Sequence, residues 1–430
     1  MRVILMKQYS ELTRDERAEL YRELSSEYEG YKSEGLRLDL SRGKPNSIQL
    51  DICQGLMNVD MTRESCFSDG GFDCRNYGLL EGIPEVKEFF AKAYGIKSED
   101  IVIGGNSSLA LMHDTLVRAT LFGVYGSPRP WIKEEKVKWL CVTPGYDRHF
   151  RITETLGFEL IGVKMLDDGP DMDAVEELVK DPAVKGIWCI PKYSNPSGNT
   201  YSPEVVERLC KMECAAPDFR IMWDNAYAIH DFDEDGDTLV NIFDVAEKYG
   251  TVDRIFYYSS TSKVTFPGGG VAFIAASKNN RDQFMPYLGA QTISYDKINQ
   301  LRHLRFFEGN PAKLREHMLK LGNDIKGKLK ITLDALDGLK GLGIAKWTEP
   351  KGGYFVSLDL LPGCAKRAYE LMKGAGVTLT PVGATFPYGI DPEDSNIRVA
   401  PTYPSCEELA LATKILVCAA KMAALEKLGI

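Results

Sequence analysis

Apolar residues recur along this chain in two rhythms. The first is a set of short apolar runs that stop abruptly at glycine, proline or a polar cluster: Ile101 to Ile103, Lys138 to Thr143, Gly186 to Ile190, Phe219 to Trp223 and Arg254 to Tyr258. Such runs predict strands buried on both faces. Helix-like stretches lie between them (Pro203 to Glu213, Val240 to Tyr249), as parallel crossovers require. The second rhythm is helical. Thr13 and Glu16 stand at capping-box spacing, and Tyr21, Leu24, Tyr28 and Tyr31 follow at helical intervals. That aromatic stripe predicts a packing or dimer helix over residues 10–30. In the last third, helical patterns at Pro311 to Ala335 and an amphipathic Cys406 to Leu428 enclose strand-like Lys351 to Leu358 and Asn396 to Ala400.

This change of character, in a chain of 430 residues that exceeds the usual single core, predicts two domains. The expected fold is α/β. A large domain, residues 51–305, carries a mostly parallel mixed sheet. A smaller α+β domain is built from residues 1–50 and 306–430. Composition adds little beyond exclusions. A net charge of −9 argues against a nucleic-acid surface, and no apolar run reaches the length of a membrane span. The start, Met1 to Gln8, has an apolar patch but no small-residue cleavage site, so no secretory signal is expected. Ten scattered cysteines in so long a chain read as reduced thiols and a cytoplasmic protein. Cys210 and Cys214 stand one helical turn apart without a second pair, and the five histidines show no ligand spacing, so no metal is expected.

Candidate chemistry collects just beyond the strand-like runs, where open α/β sheets bind ligands. The run Arg254 to Tyr258 delivers Ser259, Ser260, Thr261 and Ser262, then Lys263, then the nearly side-chain-free Pro267-Gly268-Gly269-Gly270. Small residues leave room for a flat ligand, and the hydroxyls supply donors for an anion. A lysine held there can lose its proton and attack a carbonyl. A solvated loop charge is the rival reading. The run Ile101 to Ile103 enters Gly104-Gly105-Asn106-Ser107-Ser108, which is either a phosphate seat at a helix start or a plain helix cap. The spacing is not that of a dinucleotide fingerprint. In Ser41 to Asn46 the Gly43 amide either approaches a ligand or belongs to a surface turn. Tyr77, in the loop before a helix starting at Pro84, is either functional or an anchor.

Four separated motifs occur in order: Ser194-Asn195-Pro196-Ser197-Gly198, Asp224-Asn225-Ala226-Tyr227, Ser260-Thr261-Ser262-Lys263 and Asn396-Ile397-Arg398. Together they resemble the fold-type I pyridoxal-phosphate (PLP) aminotransferases of class I, and most of all a divergent bacterial aspartate-aminotransferase-like subgroup. The Gly43 turn, Tyr77 to Gly82 and Gly352-Gly353-Tyr354-Phe355 match further landmarks of that family.

The resemblance implies a role for each residue. Lys263 would carry PLP as a Schiff base and then move the substrate's Cα proton. Asp224 would pair with the pyridine nitrogen, and Asn195 and Tyr227 would hydrogen-bond the phenolic oxygen. Tyr146 would stack on the ring. Asn106, Ser107, Ser108, Ser260 and Ser262 would surround the phosphate, with Tyr77 reaching across from a second subunit. Arg398, helped by the Gly43 amide, would clamp the substrate α-carboxylate; a buried structural ion pair is its rival reading. The implied protein is a homodimer whose active site is shared between subunits, exchanging amino groups between an L-amino acid, aspartate first, and 2-oxoglutarate. One departure stands out. The family's arginine shortly after the lysine is missing, since Pro267 runs directly into glycines and Val271. A second carboxylate on the substrate needs another cation; Arg42, Lys44, Arg148 and Arg151 are candidates, Arg42 first. Alternatives on the same scaffold are a β-lyase or a transaminase for another amino acid. A transcription regulator of this fold would need a DNA-binding domain ahead of the Gly43 turn, and a nicotinamide oxidoreductase would need the missing fingerprint.

Overall fold

Continuous apolar runs make strands only where both faces can be covered, and the computed structural model shows how this chain covers them. It describes residues 7–430; most of the apolar patch at the start of the chain lies outside them. In chain order the strands are β1 (Leu38–Asp39), β2 (Ile101–Ile103), β3 (Lys138–Thr143), β4 (Glu159–Leu166), β5 (Gly169–Pro170), β6 (Val184–Cys189) and β7 (Arg220–Asp224). They continue with β8 (Ile255–Ser260), β9 (Ala272–Ala276), β10 (Ala345–Trp347), β11 (Val356–Leu360), β12 (Val377–Thr378) and β13 (Asn396–Val399).

Eight of these form one sheet in the order β2-β9-β8-β7-β6-β3-β4-β5. β8, β7, β6, β3 and β4 are parallel, whereas β9 runs antiparallel to both β2 and β8. Every residue of β6 to β9 is buried, which is why these runs lack a polar alternation. β9 had no counterpart among the runs read from sequence. Its Ala272-Phe273-Ile274-Ala275-Ala276 is apolar enough, but only short turns and the glycines separate it from β8, with no crossover helix, so only pairing identifies it. The chain leaves β3 toward β4 and returns to β6 on the other flank of β3. The loops after β3 and β6 therefore diverge from one point, and open sheets bind ligands in such a crevice.

The remaining strands make a three-stranded antiparallel sheet, β10-β11-β13, and a parallel pair, β1-β12. Helices Arg14–Ser33, Pro311–Leu336 and Ala365–Gly374 all pack on Cys406–Leu428. The last helix is not the two-faced element its pattern suggested. Leu409, Ala412, Leu416, Ala419, Ala423 and Leu425 are buried on several sides, because three helices surround it. The aromatic stripe of Arg14–Ser33 faces this core, and its polar tips find partners: Tyr28 donates to the Leu371 carbonyl at 2.9 Å and Tyr21 to Glu426 at 2.6 Å. The helix expected over Pro203 to Glu213 ends at Lys211, so Cys214 lies beyond it and the Cys210–Cys214 spacing is not one helix face. Among the described residues, no helix is long and apolar enough to cross a membrane.

Candidate active site

The carboxyl ends of β3, β6, β7 and β8 open into a cleft of about 870 Å³ that also reaches the β1–β12 pair and β13. Lys263 enters it from a single helical turn. Val264 and Thr265 amides donate to the Thr261 carbonyl at 2.9 and 2.8 Å, and the Thr261 hydroxyl accepts from the Val271 amide at 2.8 Å. Two histidines hold this turn from behind. His303 donates through Nδ1 to the Asn299 carbonyl at 2.9 Å, so its Nε2 accepts from the Thr261 and Thr265 hydroxyls at 3.1 and 2.9 Å. Burial pushes the His303 imidazole down to about 4, which keeps that acceptor pair in place at neutral pH. His317 donates to the Val264 carbonyl at 2.7 Å. The lysine amine is thus carried by a turn whose backbone is tied at several points, with its Nζ 4.9 Å from the centre of the Tyr227 ring.

Asp224 ends β7 with its side chain only 5% exposed. His149 Nε2 bonds its Oδ2 at 2.8 Å, while Oδ1 is buried with no partner among the described residues. A buried acceptor left in that condition is costly unless a ligand donor meets it. The flat face of His149 lies against Trp188, ring centres 4.3 Å apart and 12° from parallel, and Tyr146 meets it edge-on at 5.0 Å. His149 was not singled out from sequence. Its signal was there: it stands three residues after Tyr146 at the start of helix Asp147–Thr155, on the face that Tyr146 occupies.

Arg398, on β13 and 8% exposed, lines the same cleft. Its Nη1 donates to Asp147 Oδ1 at 3.0 Å and to Asn195 Oδ1 at 3.4 Å, and its Nε and Nη2 both donate to the Thr380 hydroxyl at 3.3 Å. Phe355 lies under the guanidinium, 5.2 Å from its centre, and also fills the space beside Gly43, where any Cβ would stand 2.4 Å from the Phe355 ring. Only glycine fits that position. Asp147 and Thr380, both partners of the arginine, were not foreseen.

Asn106, Ser107, Ser108, Ser260 and Ser262 line the same cleft. Ser107 caps helix Ser108–Phe122 by accepting from the Ala110 amide, Asn106 donates to the Pro267 carbonyl at 3.3 Å, and the Ser260 and Ser262 hydroxyls share a 2.9 Å hydrogen bond. Hydroxyls and free helix amides are an anion seat in their own right. Tyr227 is buried beside Asp224 and Arg398; burial, reinforced by Asp224, raises its phenol above the ordinary value, so it stays a donor. Burial raises Tyr146 as well. His230, edge-on to Tyr227 at 5.4 Å, is pushed down to about 3 by burial, with nearby Lys263 and Lys192 acting the same way.

Arg42, Lys44 and Arg148 line the cleft, Lys44 lying 3.6 Å over the Tyr403 ring. Arg151 does not: it faces a separate surface depression and pairs with Glu154 at 3.0 Å. Tyr77 also stands outside, 75% exposed, beside Tyr295 and Lys297.

Residues 12–429 match the family model described as aspartate amino-transferase. The chain is 44% identical over 416 residues to an aspartate aminotransferase of Corynebacterium glutamicum, covering 94% of this chain and 95% of that protein. The crystal structure of an aspartate transaminase from Corynebacterium glutamicum superposes with a TM-score of 0.96 at 42% identity, covering 98% of this chain and 99% of that one. At 22% identity and a TM-score of 0.72, over 91% of this chain and 93% of that one, the fold is also that of an α-aminoadipate aminotransferase from Thermus thermophilus. That structure was solved with N-(5'-phosphopyridoxyl)-L-leucine.

Proposed function

The chain belongs to the aspartate amino-transferase family and is a fold-type I aminotransferase, and from that premise we propose that it transfers an amino group between L-aspartate and 2-oxoglutarate with PLP bound at Lys263. One observation carries the cofactor reading. Asp224 keeps one carboxylate oxygen buried and unpartnered in the cleft that also holds Lys263, while its other oxygen is locked by His149. That free acceptor fits a protonated ring nitrogen, which would donate to it.

When bound, the cofactor supplies an electron sink for the negative charge left at the substrate's Cα. The protein does the rest. Lys263 would hold the cofactor until the substrate amine displaces it, and the freed amine would then serve as the base that takes and returns the Cα proton. Asp224 Oδ1 accepts the ring N–H. Tyr227 donates to the phenolic oxygen, and Asn195, whose Oδ1 is used by Arg398, donates through its amide nitrogen. Tyr146 covers the ring face. Asn106, Ser107, Ser108, Ser260 and Ser262, with the first amides of helix Ser108–Phe122, receive the phosphate in place of the missing arginine. Arg398 and the Gly43 amide take the α-carboxylate, and Arg42 at the cleft wall takes the distal one.

Tyr77 serves the phosphate site of a second copy, so the working unit is a dimer. The same reading divides the molecule into a cofactor domain, residues 51–305, and a smaller domain of residues 1–50 and 306–430 that brings Arg398. The cysteines are all free thiols, which fits a reducing cytoplasm.

The test is an absorbance spectrum of the purified protein with added PLP. The expected result is a visible band that aspartate removes and 2-oxoglutarate restores, with ping-pong kinetics. A band indifferent to aspartate but responsive to another amino acid would move the substrate. Ammonia release without an oxo-acid acceptor would move the reaction to a β-lyase. No band at all would remove Lys263 from its role.

A further inference from the structure

The guanidinium proposed to receive the substrate already carries a carboxylate from its own chain. Arg398 has five N–H donors. Nη1 gives one to Asp147 at 3.0 Å and one to Asn195 at 3.4 Å, and Nε and Nη2 converge on Thr380 at 3.3 Å. A single Nη2 donor is left without a partner among the described residues. A substrate carboxylate gripped by a two-pronged fork needs two parallel donors, so one resident has to give way.

The three residents are not equally free to leave. Asn195 is 4% exposed, and Thr380, 8% exposed, is anchored by its own 2.6 Å hydrogen bond to the Ser41 carbonyl. Asp147 is 32% exposed on its side chain, sits at the first position of its helix, and has a second cation at hand. Its Oδ2 lies 3.9 Å from Arg148 Nε, and Arg148 lines the same cleft. Both arginine partners thus bracket one carboxylate.

We propose that Asp147 is a positioning residue that sets substrate affinity, a built-in stand-in for the substrate's α-carboxylate that leaves Arg398 for Arg148 when the substrate binds. The inference rests on the transaminase reading above. The arrangement has a physical reason. A guanidinium 8% exposed is unfavourable without a counter-charge, and Asp147 supplies one until the substrate replaces it. The same carboxylate then opposes every substrate by competition and like-charge repulsion, which weakens binding without touching the reacting atoms. Affinity is set at a residue that makes no lasting contact with the substrate.

The test titrates PLP-loaded protein by absorbance with L-aspartate, L-alanine and the unreactive dicarboxylate succinate. Wild type is compared with Asp147→Asn, Asp147→Glu, Arg148→Gln and the double variant that combines Asp147→Asn with Arg148→Gln. Asp147→Asn is expected to tighten all three ligands by about 3- to 10-fold, with KM falling by more than kcat changes, and Asp147→Glu to return affinity toward wild type. Arg148→Gln is expected to weaken aspartate and alanine alike, about 2- to 5-fold, and to lose that effect in the double variant. Unchanged or weaker binding in Asp147→Asn would overturn the inference and leave the transaminase reading standing. An Arg148→Gln effect confined to aspartate and succinate, or persisting in the double variant, would also overturn it by making Arg148 a direct ligand of the distal carboxylate. A wild-type protein whose band ignores every amino acid would take down both readings together.

Discussion

Helix Asp147–Thr155 supplies one member to each of two carboxylate pairs, and the pairs differ in how firmly they are held. Asp224 and His149 are 5% and 1% exposed on their side chains and meet at 2.8 Å, with the imidazole packed flat on Trp188. Asp147 and Arg398 meet at 3.0 Å, but Asp147 is 32% exposed and has Arg148 as an alternative partner. The first pair has nowhere to go, and the second has an exit. Rigid pairs suit a charge that has to stay at one atom, as beside a cofactor. Exchangeable pairs suit a charge that has to be handed over, as at a substrate fork.

The harshest break of this comparison is Lys263→Ala, which removes the group both pairs flank. Turnover is expected to fall by about 10²- to 10⁴-fold, and the visible band of the PLP-loaded protein to disappear. Arg398→Ala comes next. It leaves Asp147 without its guanidinium and the substrate without its fork, at about 2–5 kcal/mol in kcat/KM, measured as a KM effect for aspartate and alanine together.

A pH titration probes the rigid side. The folded His303 lies near 4 instead of its ordinary 6.5, because burial disfavours its charged form. The unfolded chain therefore binds the extra proton first. Stability from this group is complete above about 6.5 and is lost as pH falls through about 4, by up to about 3 kcal/mol. Tm measured between those limits should fall less steeply in His303→Gln than in wild type; an equal slope would mean another group carries the acid sensitivity.

Smaller still is His149→Ala. It strips Asp224 of its remaining protein partner and should lower unfolding free energy by about 1.5–3 kcal/mol in a denaturant series, with weaker retention of PLP. The smallest effect is expected at the rim. Arg42→Ala should slow aspartate relative to alanine by about 1 kcal/mol, read as the ratio of their kcat/KM values. If both substrates change by the same factor, Arg42 does not read the distal carboxylate.

Residues brought into the cleft by local signals were legible from the sequence. Lys263, Asp224, Asn195 and Tyr227 each follow closely on an apolar run, and a polar cluster at the end of a buried strand has to emerge at a sheet edge. Gly104 to Ser108 was legible for the same reason at a helix start. What was not legible is who touches whom. His149 and Asp224 are separated by 75 positions and Arg398 and Asp147 by 251, and nothing in either local pattern names its partner. His303 and His317, counted only for metal spacing, hold the lysine turn from helices far along the chain.

By itself, then, the chain determined its periodicities: buried runs that become parallel strands, a lysine set among hydroxyls and glycines, and an arginine on a late strand. These follow from local backbone geometry and from the burial that continuous apolar runs require. The tertiary structure alone decided that β9 runs antiparallel between β2 and β8, that Cys406–Leu428 is enclosed by three helices, and that the Asp147 carboxylate sits on Arg398. Pairing of buried charges and strands depends on which surfaces meet once the chain has closed on itself, a long-range condition with no period to reveal it in the sequence.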